Sequence, residues 1–217
     1  MRTLLILVGP QGSGNHMFSK LFGLHPEVES WTALQRTFWL PHDTEPFNEF
    51  WADPDAWRPL TTSLDYAVTS ISIPFVHRGH TQVPRFDDFV SQAIKHGWQV
   101  KVAIIGRDKN ILECQQRRLR GGMTFGEFEK ALPTLMQYNP VFISHELAVL
   151  YGSEYLKSLS LLLDFPIDAY NPQVDTILYP NANQKYVKYL EESSLDILVK
   201  NGAADWAEPG SEWDQNV

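Results

Sequence analysis

Residues 3–18 read TLLILVGPQGSGNHMF, and the order of features in this stretch decides the fold. Thr3 to Val8 is a short continuous apolar run, the pattern of a strand buried on both faces of a parallel sheet. Gly9 to Gly14 is a turn with glycine at positions 9, 12 and 14. From Asn15 the apolar residues Met17, Phe18, Leu21 and Phe22 recur at helical spacing. That helix ends at Leu24-His25-Pro26, because proline disfavours helical geometry in the residue before it. Strand, glycine-rich turn and helix, in this order, make a phosphate cradle. The glycines let successive N–H groups converge, and the helix N-terminus adds partial positive charge.

The spacing of Gly9 and Gly14 matches the Walker A pattern G-x4-G, which continues with Lys and then Ser or Thr. Here the next residues are Asn15 and His16. Without the lysine no point charge meets the phosphates, and without the hydroxyl the standard magnesium ligand is missing. A conventional ATPase or GTPase is therefore disfavoured. An anion site built from Gly12, Ser13, Gly14, Asn15 and His16 is preferred to a turn that binds nothing.

Working outward, further strands and helices alternate. Tyr66 to Val76 contains a strand with Ile71, Ile73 and Phe75 alternating, and Pro84 to His96 is a helix stopped by Gly97. Val100 to Ile105 is a second apolar strand, followed by a helix from Asn110 to Arg120. Phe125 to Gln137 reads as a helix bent or interrupted at Pro133. Val141 to Ser144 is a third short strand, Ser153 to Phe165 an apolar helix and Gln184 to Lys200 a last helix. Residues 31–60 break the pattern: they hold four of the seven tryptophans and read as an irregular aromatic-rich insert. The expectation is one α/β domain over residues 1–200, with helices flanking a central, mostly parallel sheet, and a peripheral tail over 201–217. Ligands of such a sheet bind at the C-terminal ends of its strands, where the strand order reverses.

Composition narrows the function. The 217 residues carry 18 Lys+Arg against 26 Asp+Glu, a formal net charge of −8. That balance argues against a broad nucleic-acid-binding or anionic-membrane surface. A hydrophobic content of 43% is enough for a packed core. Cys114 stands alone, which excludes an internal disulfide framework and the usual cysteine zinc sites. No segment reaches the roughly 18 apolar residues of a membrane span, and Leu4 to Val8 is too short for a signal-peptide core. The chain therefore reads as soluble and cytoplasmic.

A second anion-binding element follows the Val100–Ile105 strand, at Gly106-Arg107-Asp108. An arginine at the C-terminal end of a parallel strand faces the ligand crevice, and its planar fork suits a phosphate. Arg117, Arg118 and Arg120 either focus further positive potential there or decorate a solvated helix face.

Taken together, three segments resemble the sulfotransferases that use 3′-phosphoadenosine 5′-phosphosulfate. Ser13-Gly14, a helix, and then Leu24-His25-Pro26-Glu27-Val28 are similar to that family's opening. Val102 to Leu112, with Arg107 at the strand end, looks like its 3′-phosphate-binding signature. Val141 to Leu147 followed by Leu156 to Phe165 is similar to its later strand–helix pair. The resemblance covers about two thirds of the chain and implies a P-loop-type fold. It implies that Gly12 to His16 hold the 5′-phosphosulfate, that Arg107 and Gln115 hold the 3′-phosphate, and that no metal is required. The departures are Gly12 where the family has a loop cation, Asn15 and His16 where it has threonines, and Lys109 where it has proline. The family's phosphate-binding serine falls on Gln115, or on Cys114 if one residue is deleted. His16 is the candidate to replace the missing cation.

Transfer to a hydroxyl or amine requires a base within hydrogen-bonding reach of the acceptor, with a pKa near working pH. His77, with His80 second, lies just after the Ile71–Val76 strand, where some members of the family carry a catalytic histidine. His42, Asp43, Glu45 and Glu29 are alternatives. The aromatic insert is either an acceptor pocket or a satellite core. The leading expectation is sulfuryl transfer to a small-molecule or glycan acceptor. A nucleotide or small-molecule kinase using ATP and magnesium, and a binding module without turnover, are the rivals.

Overall fold

The computed structural model describes residues 2–30, 45–60, 62–120, 122–179, 181, 183, 184, 186–188 and 190–192. The contacts divide the chain into two units, Met1–Asn181 and Ala182–Val217.

In the first unit, the stretch that opened the sequence forms β1 (Arg2–Pro10) and α1 (Asn15–Phe22), joined by the glycine-rich turn. A two-residue strand, β2 (Val28–Glu29), follows. After two 3-10 turns, Asn48–Trp51 and Pro54–Ala56, comes β3 (Tyr66–Ile73). A hairpin of β4 (Phe75–His77) and β5 (His80–Gln82) leads to α2 (Phe86–Lys95). Then come β6 (Trp98–Gly106), α3 (Lys109–Arg120), α4 (Phe125–Met136), β7 (Val141–Ser144), α5 (His145–Leu163) and α6 (Gln173–Leu178).

Five of these strands make one parallel sheet in the order β2-β3-β1-β6-β7. β1 lies at its centre, with Pro10 paired to Ile73 of β3 and Val8 to Ile104 of β6. This position explains its unbroken apolar sequence, since both faces of the strand are covered. Leu5 and Leu7 pack against α1, α5 and α6 through Phe18, Leu21, Leu156, Leu159 and Val174. Leu4, Ile6 and Val8 face the other layer, through Phe86, Phe89 and Val90 of α2 and Phe128 and Leu135 of α4. The result is a three-layer α/β sandwich. From β1 the chain leads toward the β2 edge, whereas β3 and β6 lead toward the β7 edge. The glycine-rich turn therefore sits at the reversal of strand order, the ligand crevice of an open parallel sheet.

The second half of the aromatic insert belongs to this core. Trp51 stacks on Phe89 with ring centroids 3.5 Å apart, and Phe47 stacks on Trp57 at 4.5 Å. Trp51, Trp57, Phe47 and Phe50 are all buried. The aromatic side chains of residues 45–60 thus pack into the α2 layer as core. Trp31, Trp39, His42 and Asp43 lie outside the described residues.

Three other elements differ from the sequence expectation. Helix α4 runs unbroken from Phe125 to Met136 with Pro133 inside it. The ring costs one hydrogen bond to the carbonyl of Glu129, and that residue is exposed to water, which takes its place. Helix α5 begins at His145 rather than Ser153, because two helical pieces join across a kink at Gly152 (φ 49°, ψ −124°). The β4–β5 hairpin was not anticipated: Arg78 and Gly79, both at positive φ, form its two-residue turn and place His77 opposite His80.

In the second unit, the described residues 183, 184, 186–188 and 190–192 are helical, at the start of the expected last helix. The rest of that helix and the 201–217 tail lie outside the described residues. Among the described residues, no helix is long and apolar enough to cross a membrane.

Candidate anion-binding site

The glycine-rich turn is shaped by its backbone. Ser13 N–H donates to the Pro10 carbonyl at 3.0 Å, and Gly12 and Gly14 adopt φ of 91° and 112°, values that strain any residue with a Cβ. Space is short as well. A Cβ on Gly14 would fall 2.7 Å from His145 Cδ2, and one on Gly12 would fall 2.9 Å from Gln115 Oε1. At Gly14 the buried His145 ring of α5 adds a steric demand for glycine to that of the turn; at Gly12 the close atom is the end of the flexible Gln115 side chain, and the positive φ is what calls for glycine.

Buried amides then pin the turn. Gln116, 1% exposed, donates from Nε2 to the Gln11 carbonyl at 2.8 Å and accepts at Oε1 from Thr124 N–H at 2.9 Å. Thr124 Oγ1 donates to Gln11 Oε1 at 3.0 Å. On the other side, Ser13 Oγ donates to Asn15 Oδ1 at 3.1 Å, and Asn15 Nδ2 donates to Ser72 Oγ at 2.9 Å. The Ser13 and Asn15 side chains therefore brace the turn against β3. What these two residues offer a ligand is backbone.

That backbone leads into α1, capped by Gly14 with no side-chain hydrogen bond and with no acidic residue in its first turn. The first N–H groups of a helix lack intrahelical acceptors and carry partial positive charge. His16 is half-buried on this turn. Across the crevice, Arg107 follows β6 and its Nη1 donates to the Gly12 carbonyl and to Gln115 Oε1, both at 2.5 Å. The structure thus brings together Gly12, Arg107 and Gln115 from three parts of the chain. The Gln115 amide oxygen faces Arg107 as an acceptor, which leaves its Nε2 as the donor for the phosphate contact the resemblance implies.

The other candidates are placed as follows. Arg117 and Arg118 are exposed on α3, and Arg117 lies 3.9 Å from Glu113, a weak solvent-screened pair. Asp108 accepts at Oδ1 from Ile111 N–H and caps α3. His77 is half-buried and His80 exposed on the hairpin. Because Pro10 pairs with Ile73, this hairpin leaves the sheet at the same end as the glycine-rich turn. Among the described residues, neither histidine is hydrogen-bonded to the turn. Glu45 is buried, with its carboxylate accepting from Ser19 Oγ at 2.9 Å and Ser70 Oγ at 3.0 Å. With Glu29, Glu49 and Arg58 it lines a groove of about 440 Å³.

One residue at the site was missed by sequence reasoning. His145 opens α5, is 4% exposed, and presses its ring against Gly14. Burial first, and then the Arg107 charge, push its pKa from 6.5 down to about 4, against the opposing pull of Glu146. The ring is therefore neutral at pH 7. Between pH 6.5 and 4 the unfolded chain binds a proton here that the folded chain does not, so stability falls as pH drops through this window. The contribution is roughly 3 kcal/mol, complete above pH 6.5 and lost toward pH 4. In urea titrations at successive pH values, His145→Gln is expected to flatten this fall; an unchanged slope would show that His145 does not titrate in the fold.

No protein-family model matches the chain, and no curated protein matches it.

Proposed function

We propose that the chain is a P-loop-type sulfotransferase-like enzyme. In this reading it moves a sulfuryl group from 3′-phosphoadenosine 5′-phosphosulfate to a hydroxyl or amine of a small-molecule or glycan acceptor. The observation that carries the reading is the meeting of Arg107 with the glycine-rich turn at the N-terminus of α1. It pairs a guanidinium with a helix terminus free of acidic residues, at the sheet's ligand crevice. The order of the three sequence segments adds the specific cofactor.

The residues present fit an anionic nucleotide. The N–H groups of the turn and of the first turn of α1 are the partners for a 5′-phosphosulfate, and Arg107 is the partner for a 3′-phosphate. Bound there, the cofactor would supply an activated sulfuryl group, its bond to the bridging phosphate oxygen being exchanged for one to the acceptor oxygen or nitrogen. The first-turn N–H groups of α1, with His16, hold negative charge at the departing oxygen. His77 accepts the acceptor's proton, with His80 as the second choice. Orientation by Arg107 and the turn converts the encounter into a positioned one.

A binding module without turnover is the rival reading, favoured by the absence of a cation at Gly12. A kinase is disfavoured by Asn15 and His16 at the positions of the Walker lysine and hydroxyl. Thermal unfolding with 3′-phosphoadenosine 5′-phosphate, and separately with ATP and magnesium, tests the proposal. At a hundredfold excess over Kd the bisphosphate is expected to stabilise by about 2.7 kcal/mol. Stabilisation by ATP and magnesium alone would replace this reading with the kinase. Stabilisation by the bisphosphate without sulfuryl transfer to any acceptor would leave the binding module.

A further inference from the structure

Adjacent glutamines on α3 have different fates. Successive helical residues point about 100° apart. Gln116 therefore turns inward and is locked at both ends by Gln11 and Thr124. Gln115 turns toward the crevice, is half-buried, and aims its amide oxygen at Arg107 Nη1. The same Nη1 also holds the Gly12 carbonyl. Gln115 Oε1 thus lies between the guanidinium and the turn, 2.9 Å from where a Cβ on Gly12 would stand.

An oxygen with partial negative charge at that point does what an anionic ligand's oxygen would do there. We propose that Gln115 is a resident competitor and specificity-determining residue: its amide oxygen holds the place of a ligand oxygen on Arg107. The inference rests on the reading of Arg107 as an anion-binding group. A free oxyanion that takes the Gln115 position on Arg107 Nη1 must displace a charge-assisted hydrogen bond and so gains little. A nucleotide also anchored on the turn delivers its second anionic group at high local concentration and displaces the amide. Gln115 then screens out inorganic sulfate and phosphate while admitting a doubly anchored ligand. The side chain is half-buried and uncharged, so it can leave the guanidinium without stranding a charge.

Calorimetric titration of wild type, Gln115→Ala and Gln115→Glu with inorganic sulfate, and in parallel with 3′-phosphoadenosine 5′-phosphate, tests this. Alanine is a strong helix former, and circular dichroism checks that both variants fold. Gln115→Ala is expected to bind sulfate about tenfold more tightly than wild type, the factor set by loss of one competing charged hydrogen bond. Gln115→Glu is expected to bind no sulfate, because a carboxylate pairs with Arg107 and repels the anion. Weaker or unchanged sulfate binding by Gln115→Ala overturns the proposal, and so does an absence of sulfate binding in all three proteins. If sulfate behaves as expected but no protein binds the bisphosphate, the role of Gln115 stands and the sulfotransferase reading falls.

Discussion

Arg107→Ala is expected to abolish most of the stabilisation conferred by 3′-phosphoadenosine 5′-phosphate while leaving the unliganded protein nearly as stable as wild type. The two effects separate because of where the guanidinium points. In the free protein its Nη1 donates to the Gly12 carbonyl and to Gln115 Oε1. Gly12, Arg107 and Gln115 are all half-buried, so water replaces much of what is lost. In the complex the same group faces a phosphate, where a hydrogen bond to charge contributes about 1.5–3 kcal/mol, or roughly ten- to 150-fold in affinity. Arg107→Lys keeps the charge without the fork and is expected to fall between wild type and alanine. A full ligand-induced shift in Arg107→Ala would move the 3′-phosphate site elsewhere. A large loss of stability without ligand would make Arg107 a structural strut.

Trp51→Ala carries the largest expected effect on folding, a loss of about 3–5 kcal/mol in urea unfolding. The indole is 1% exposed and lies flat on Phe89, with Phe86 on a second side at 5.7 Å. Truncation leaves a cavity between the 3-10 turn and α2 that these rigid rings cannot fill by small movements. The position is away from Arg107 and the glycine-rich turn, so the bisphosphate affinity of the folded fraction is expected to be unchanged. A cost below about 1 kcal/mol, the range of surface changes, would mean that Trp51 is not core.

These two residues also show how far the sequence carries. Arg107 was legible because it closely follows the apolar run Val100 to Ile105, which reads as a strand without any tertiary information. The central position of β1 was legible for a related reason: a strand covered on both faces has no polar alternation. Trp51 was visible as an aromatic, with core and pocket both open to it. Whether an irregular aromatic segment closes a layer or lines a pocket depends on which helix it meets, and periodicity contains nothing about that. β2, with only two residues, is too short to show alternation. The start of α5 was hidden because Gly152 looks like a boundary, whereas the chain is helical on both sides of it.

The candidate site was legible in its outline and not in its bracing. Gly12 and Gly14 announced a turn, yet the side chains that press on it, Gln115 and His145, come from α3 and α5. Gln116 and Thr124 reach Gln11 across more than a hundred residues of sequence. Such contacts follow from strand order, which a single sequence does not display. The bracing of Asn15 was hidden for the same reason: the β1–β3 register brings Ser72 within reach of its side chain. Global acidity leaves room for such a site: a net charge of −8 is compatible with one local anion site when the positive groups are a helix terminus and a single guanidinium.

Thermal unfolding with 3′-phosphoadenosine 5′-phosphate beside ATP and magnesium at equal concentration tests the central claim most directly. The expected result is a concentration-dependent rise in the unfolding midpoint with the bisphosphate and none with ATP and magnesium. A rise with ATP and magnesium alone, or with neither ligand, would contradict it.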